Sequence, residues 1–328
     1  MHWDPDTIVI GSSGAKAFYV LGALRSLEKI SKNVKGYVGS SSGALFSLLI
    51  VCGYSIDEII SKFIESPIFR DLNSFLPETE GIGKITFMVY EETIKEMVKA
   101  KFGFVPTMQR LYELTDLELS IVTCDITSGD TVYVTRQNHP TMPCTTAIYL
   151  SFDLHGPLYS TNYKNHVYID GSFGNPYPAD LVDDGSRNIL GICVDYSTKK
   201  EDLVNKMHST MAFPTEMLKR KIIRGTSAKC KNIVLTANFT DFKGSNTSRQ
   251  ERINMIKQGS DTVEKFKEEL EEFNGDSFVI RPSDDLSKVH VEFQPDEQEI
   301  RKDKDEEDKA KIFSAIFAAT MLACRENK

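Results

Sequence analysis

The 328-residue chain carries 47 acidic and 39 basic residues, for a net charge of −8 at pH 7 and a pI near 5.4. That balance argues against the basic face of a nucleic-acid-binding domain, and no DNA or RNA partner is expected. With 41% hydrophobic residues the chain can fill a core, which argues against overall disorder.

The opening MHWDPDTIVIG has acidic residues before a very short apolar run, so it lacks the basic and hydrophobic regions of a secretory signal. Thr7–Ile10 is β-branched and apolar and predicts a strand. Apolar residues at 17, 18, 20, 21, 24 and 27 then predict an amphipathic helix, with Gly11-Ser12-Ser13-Gly14-Ala15-Lys16 as the turn between them. Val34–Val38 predicts a second strand. After it, Gly39-Ser40-Ser41-Ser42-Gly43 is a G-x-S-x-G centred on Ser41, followed by the apolar run Ala44–Cys52, which reads as a buried helix.

Further strands are expected at Leu117–Cys124, Thr131–Val134, Val167–Ile169, Ile189–Val194 and Asn232–Ala237. Helices are expected at Ile56–Ile64, Glu91–Lys101, Leu203–Ile223 and Gln250–Phe273. Such alternation predicts an α/β fold with a largely parallel central sheet. Beyond about residue 275 the chain turns charged and turn-rich, and Ile312–Cys324 reads as a short appended helix. Neither it nor Ala44–Gly53 approaches the ~20 apolar residues that cross a bilayer. Six cysteines, at 52, 124, 144, 193, 230 and 324, form no C-x-x-C pair and read as buried free thiols of a reducing compartment. A cytoplasmic protein, soluble or peripheral to membranes, is the expectation.

Three places carry chemistry. Gly39 and Gly43 leave room for the sharp reversal from strand to helix that would expose Ser41, and the following helix aims its N-terminal dipole at that serine. The Gly11–Lys16 turn offers backbone N–H groups to an oxyanion or a phosphate. In YIDGSFGNPYPAD, a strand ends on Asp170, and the glycines, Asn175 and Pro176 after it form a turn that leaves the carboxylate at the strand's C-terminal edge. His155, His166, His208 and His290 stand in no telling context.

Together these motifs resemble those of the patatin-like phospholipases, in the usual order: GSSGAKAFYVLGAL, VGSSSGAL and DGS. The resemblance extends through Lys99–Gly129 and covers about residues 5–275, and the compact chain is similar to bacterial and virus-encoded members. It implies a three-layer α/β/α fold with a mostly parallel sheet and a Ser41–Asp170 dyad without histidine. The implied reaction is hydrolysis of acyl esters in phospholipids or other lipids, with no calcium, other metal or cofactor. Backbone amides around Ser12, Ser13 and Gly14 would hold the oxyanion, and Lys16 would steady a phosphate or the loop itself.

Ser12, Ser13 and Ala17 stand where the family has glycine, so strain at a positive φ is expected in this turn. Ser172 replaces the commoner Gly or Ala after Asp170-Gly171. Residues 276–328 would form a charged extension ending in the short helix. Two other readings use the same residues: a catalytically silent patatin-fold module that binds lipid or protein, and a nucleotide-binding α/β module. Finally, Lys219, Arg220, Lys221 and Arg224, beside Met217, Leu218, Ile222 and Ile223, read either as a basic surface for anionic lipid or as a packed helix with a solvated basic face.

Overall fold

The β-branched TIVI segment forms β1 (Thr7–Ile10), all four of its residues buried, as expected of a parallel strand covered on both faces. The computed structural model describes residues 4–28, 33–66, 80–152, 161–197, 206–238, 248–264, 278–282 and 289–293. A turn of 3-10 helix at Gly14–Lys16 leads from β1 into α1 (Ala17–Leu27), and β2 (Gly36–Ser40) returns parallel to β1. The chain continues through α2 (Ser42–Val51), α3 (Ile56–Phe63), α4 (Glu80–Phe102) and α5 (Met108–Thr115) to β3 (Glu118–Asp125), which pairs parallel with β2.

Three antiparallel strands follow around α6 (Cys144–Ser151): β4 (Asp130–Val134), β5 (Thr161–Tyr163) and β6 (His166–Asp170). On the other side of β1 the parallel pairing runs through β7 (Ile189–Ser197), β8 (Cys230–Asn238) and β9 (Phe278–Pro282), and β10 (Val289–Phe293) closes that edge antiparallel. α7 (Lys206–Arg224) links β7 to β8, and α8 (Arg249–Glu264) follows β8. The described strands form one ten-stranded mixed sheet, parallel through its centre.

Strand alternation sorts the core into two layers of side chains. Ile8 and Ile10 join α1, α2, α3, α6 and α8 in one cluster, while Val9 and Val38 face Leu218, Ile222 and Ile223 of α7 in the other. This is the expected three-layer α/β/α fold. α1 and α8 approach backbone to backbone, because a side chain at Gly22 would lie 2.0 Å from the Ile256 carbonyl oxygen and one at Gly259 would lie 2.0 Å from that of Tyr19.

The boundaries shift where burial lacks a period. β2 begins at Gly36 rather than Val34, and α2 takes in Ser42 and Gly43, two residues before the expected start. The sheet also continues past residue 275 through β9 and β10. The expected helix at 312–324 lies outside the described residues, as does Cys324. Cys52, Cys124, Cys144, Cys193 and Cys230 are buried free thiols, as the sequence predicts. No described helix is long and apolar enough to cross a membrane.

Candidate active site

Sheet register creates the site. β1 lies between β2 and β7; the chain passes from it to β2 and β3 on one side, while β7 and β8 build the sheet on the other, which opens a crevice at the C-terminal ends of the central strands. On one edge, β3 pairs with β4 from Ile121 to Asp125. Its other edge is shared: β2 occupies it up to Ser40, opposite Val122, and β6 arrives from the opposite direction to stop with Asp170 opposite Thr123. β2 and β6 therefore meet end to end, and the residue after Ser40 faces the last residue of β6. The Ser41 hydroxyl donates to Asp170 Oδ2 at 2.7 Å.

The elbow that presents Ser41 has no space to spare. A Cβ at Gly39 would lie 2.5 Å from the Ala44 backbone, and one at Gly43 would lie 2.1 Å from the Ile10 carbonyl oxygen. Ser41 is at φ 55°, ψ −123°, a left-handed conformation that costs a non-glycine residue about 1–3 kcal/mol. It precedes the first turn of α2, whose N-terminal dipole favours negative charge there.

Asp170 is fixed at both oxygens, because the Ser172 N–H donates to Oδ1 at 2.8 Å. Gly171 passes so close to β3 that a Cβ would lie 2.2 Å from the Val122 carbonyl oxygen. Ser172 contributes its backbone amide, which any residue at that place supplies. Beside the carboxylate, burial first and the Asp170 charge second raise the Cys124 thiol; for the Tyr90 hydroxyl, burial and Tyr149 come before Asp170. Both groups thus stay neutral. His166, on the same strand as Asp170, pairs instead with Asp125, Nδ1 to Oδ2 at 2.5 Å.

The first turn corrects two expectations. Ser13 is at φ −145°, Ser12 is not among the residues with positive φ, and Ala17 is helical at φ −55°. The left-handed residue is Gly14, at φ +49°, so the serines carry no such strain. The Ser12 N–H donates to the Pro176 carbonyl at 2.8 Å, which ties this turn to the loop after Asp170 and removes that amide from the expected oxyanion donors. The Ser13 N–H donates to the Ser42 hydroxyl at 3.1 Å. Among the described residues the Gly14 and Ser42 amides have no backbone or side-chain acceptor. Lys16 is buried, 2% exposed.

The sequence reading missed α6. Its last residue, Ser151, accepts the Ser41 N–H on its hydroxyl oxygen at 3.0 Å, and the Thr123 hydroxyl donates to the Leu150 carbonyl at 2.5 Å. α6 thereby clamps the Ser41 backbone to β3. The one signal for this helix was Pro143, at its N-cap, because the helix is buried nearly all round and shows no amphipathic period.

The basic surface on α7 also needs correction. Lys219 is buried and donates to the Val194 carbonyl and to Glu216, both at 2.6 Å, and Arg220 pairs with Asp195 at 2.9 Å. Lys221 and Arg224 are exposed, in line with the exposed Met217 one and two turns away.

The family model of patatin-like phospholipases matches residues 8–183, more than half of the chain, and the protein belongs to that family. It is 23% identical over 276 residues to "Probable lipid hydrolase 463L" of Invertebrate iridescent virus 6, covering 80% of this chain and 89% of the viral one. It is 28% identical over 106 residues to the "cUMP-AMP-activated phospholipase" of Escherichia coli, covering 30% of this chain and 33% of the other. Among solved structures it is similar to VipD from Legionella pneumophila, at 15% identity and a TM-score of 0.47, over 81% of this chain and 67% of that one. Membership of the patatin-like phospholipase family makes the chain a lipid ester hydrolase.

Proposed function

We propose that the protein is a phospholipase A-type lipid acyl hydrolase working through a Ser41–Asp170 dyad, and that residues 5–275 carry this activity, with β9 and β10 of the following stretch extending the same sheet. The observation that carries the reading is the 2.7 Å hydrogen bond from Ser41 Oγ to Asp170, at a strained elbow. Ser41 attacks the ester carbonyl carbon as Asp170 takes its proton. The glycerol oxygen leaves with that proton, and water assisted by Asp170 then cleaves the acyl-serine. The Gly14 and Ser42 amides, which have no acceptor among the described residues, are the donors best suited to the oxyanion, with the Ser13 amide beside them. No step calls for calcium.

Fatty-acid release from mixed phospholipid vesicles, with chelator present, tests this. Ser41→Ala and Asp170→Asn should each lower the rate by at least ~10³-fold. A folded wild type with no activity would turn the reading to a silent lipid-binding module. Peripheral binding to anionic lipid through Lys221 and Arg224 is supported by their exposure beside Met217. Neutralising both charges, Lys221→Gln with Arg224→Gln, should then weaken vesicle binding by roughly 2 kcal/mol, and unchanged co-sedimentation would rule it out.

A further inference from the structure

The Ser13 amide of the first turn is occupied. Ser42 directly follows the proposed nucleophile and is wholly buried; its hydroxyl oxygen lies 3.1 Å from the Ser13 nitrogen and 3.0 Å from the Ser13 hydroxyl oxygen. The Ser12 amide is held by a main-chain carbonyl within a packed loop, but the Ser13 amide is held by a side chain that turns about a single bond.

We propose that Ser42 is a built-in occupant of the oxyanion site: its hydroxyl fills the Ser13 amide in the resting enzyme and rotates off only when negative charge develops on the substrate oxygen. The proposal rests on Ser41 being the nucleophile. Hydrogen bonds to an ionised acceptor are roughly twice as strong as those between neutral groups. A neutral ester carbonyl therefore competes poorly with the Ser42 oxygen, while the tetrahedral oxyanion displaces it. The exchange favours the transition state over the bound ester, at the cost of breaking one internal hydrogen bond on every turnover. Removing that internal competitor should leave the Ser13 amide unsatisfied at rest and open to the oxyanion, so activity and stability should move in opposite directions.

The test uses the full chain, a soluble monomeric p-nitrophenyl ester and a fluorophosphonate that labels the active serine. Ser42→Ala and Ser42→Gly should raise kcat/KM and the rate of labelling about two- to tenfold, as expected for the loss of one competing hydrogen bond, while the melting temperature falls. Slower labelling together with a lower melting temperature would overturn the proposal and make Ser42 a clamp between the two turns. Labelling at the wild-type rate would overturn it as well. Labelling of the wild type lost in Ser41→Ala keeps the dyad reading intact in either case, whereas a wild type that takes no label at Ser41 overturns both.

Discussion

The chain makes a serine- and glycine-rich turn from strand to helix twice, after β1 and after β2, and uses glycine differently in each. In the elbow after β2, Gly39 and Gly43 are there for room, since backbone atoms lie within 2.5 Å of any added Cβ, and the positive φ falls on Ser41 itself. In the turn after β1, Gly11 is also crowded, 2.9 Å from Cys193 Cβ, but the glycine at its tip, Gly14, carries the positive φ while nothing lies within 4 Å of its absent side chain. The crowded turn presents a side chain and the open turn presents its backbone. Ser12 and Ser13 fit the first turn because neither takes a positive φ, whereas a side chain at Gly39 or Gly43 has nowhere to go.

The largest effect should come from Gly43→Ala. Its methyl group would press on the Ile10 and Gly11 carbonyl oxygens, which β1 holds in the sheet, so a loss of about 3 kcal/mol or more and of all activity is expected. Urea unfolding beside fatty-acid release measures both. A mild loss would mean that the elbow yields and that the comparison is overdrawn.

Ser151→Ala should come next. It leaves the buried Ser41 N–H without its acceptor, at about 1–3 kcal/mol, and should lower kcat roughly tenfold with KM unchanged. Recovery in Ser151→Thr would tie the loss to the hydroxyl; an unchanged kcat in Ser151→Ala would mean that the glycines alone fix the elbow. Gly14→Ala should be the smallest, about 1 kcal/mol from conformation alone. A cost as large as that of Gly43→Ala, read by the same urea titration, would erase the distinction between the turns.

The features visible in the sequence were those that depend on neighbours along the chain. Thr7–Ile10, the G-x-S-x-G and the Asp170-Gly171 turn are local patterns, and they contain the two residues of the proposed dyad. What escaped depends on burial from two sides. α6 has no polar face to set a period, so Ser151 went unnoticed, and the lysines of α7 look alike in sequence although Lys219 is 1% exposed and Lys221 faces solvent. Lysine is seldom wholly buried, and the Val194 carbonyl and Glu216 are among the partners that hold Lys219 inside. β9 and β10 lay in a stretch whose charge masked the alternation of Val289, Val291 and Phe293. The donor set of the first turn could not be read at all, because it hinges on where Pro176 and Ser42 come to rest.

The end-to-end meeting of β2 and β6 has a consequence for how activity arises in time. The elbow is encoded by the first fifty residues, but its partner carboxylate comes 129 positions later and reaches it only when β6 has paired in one register with β3. A slip of one residue would move Asp170 by about 3.3 Å and turn it to the opposite face of the sheet. A growing chain that has not yet made β6 thus holds the proposed nucleophile without its proposed base. Turnover would begin as a single event late in folding, and the rate of its appearance after dilution from denaturant would time the closing of that strand.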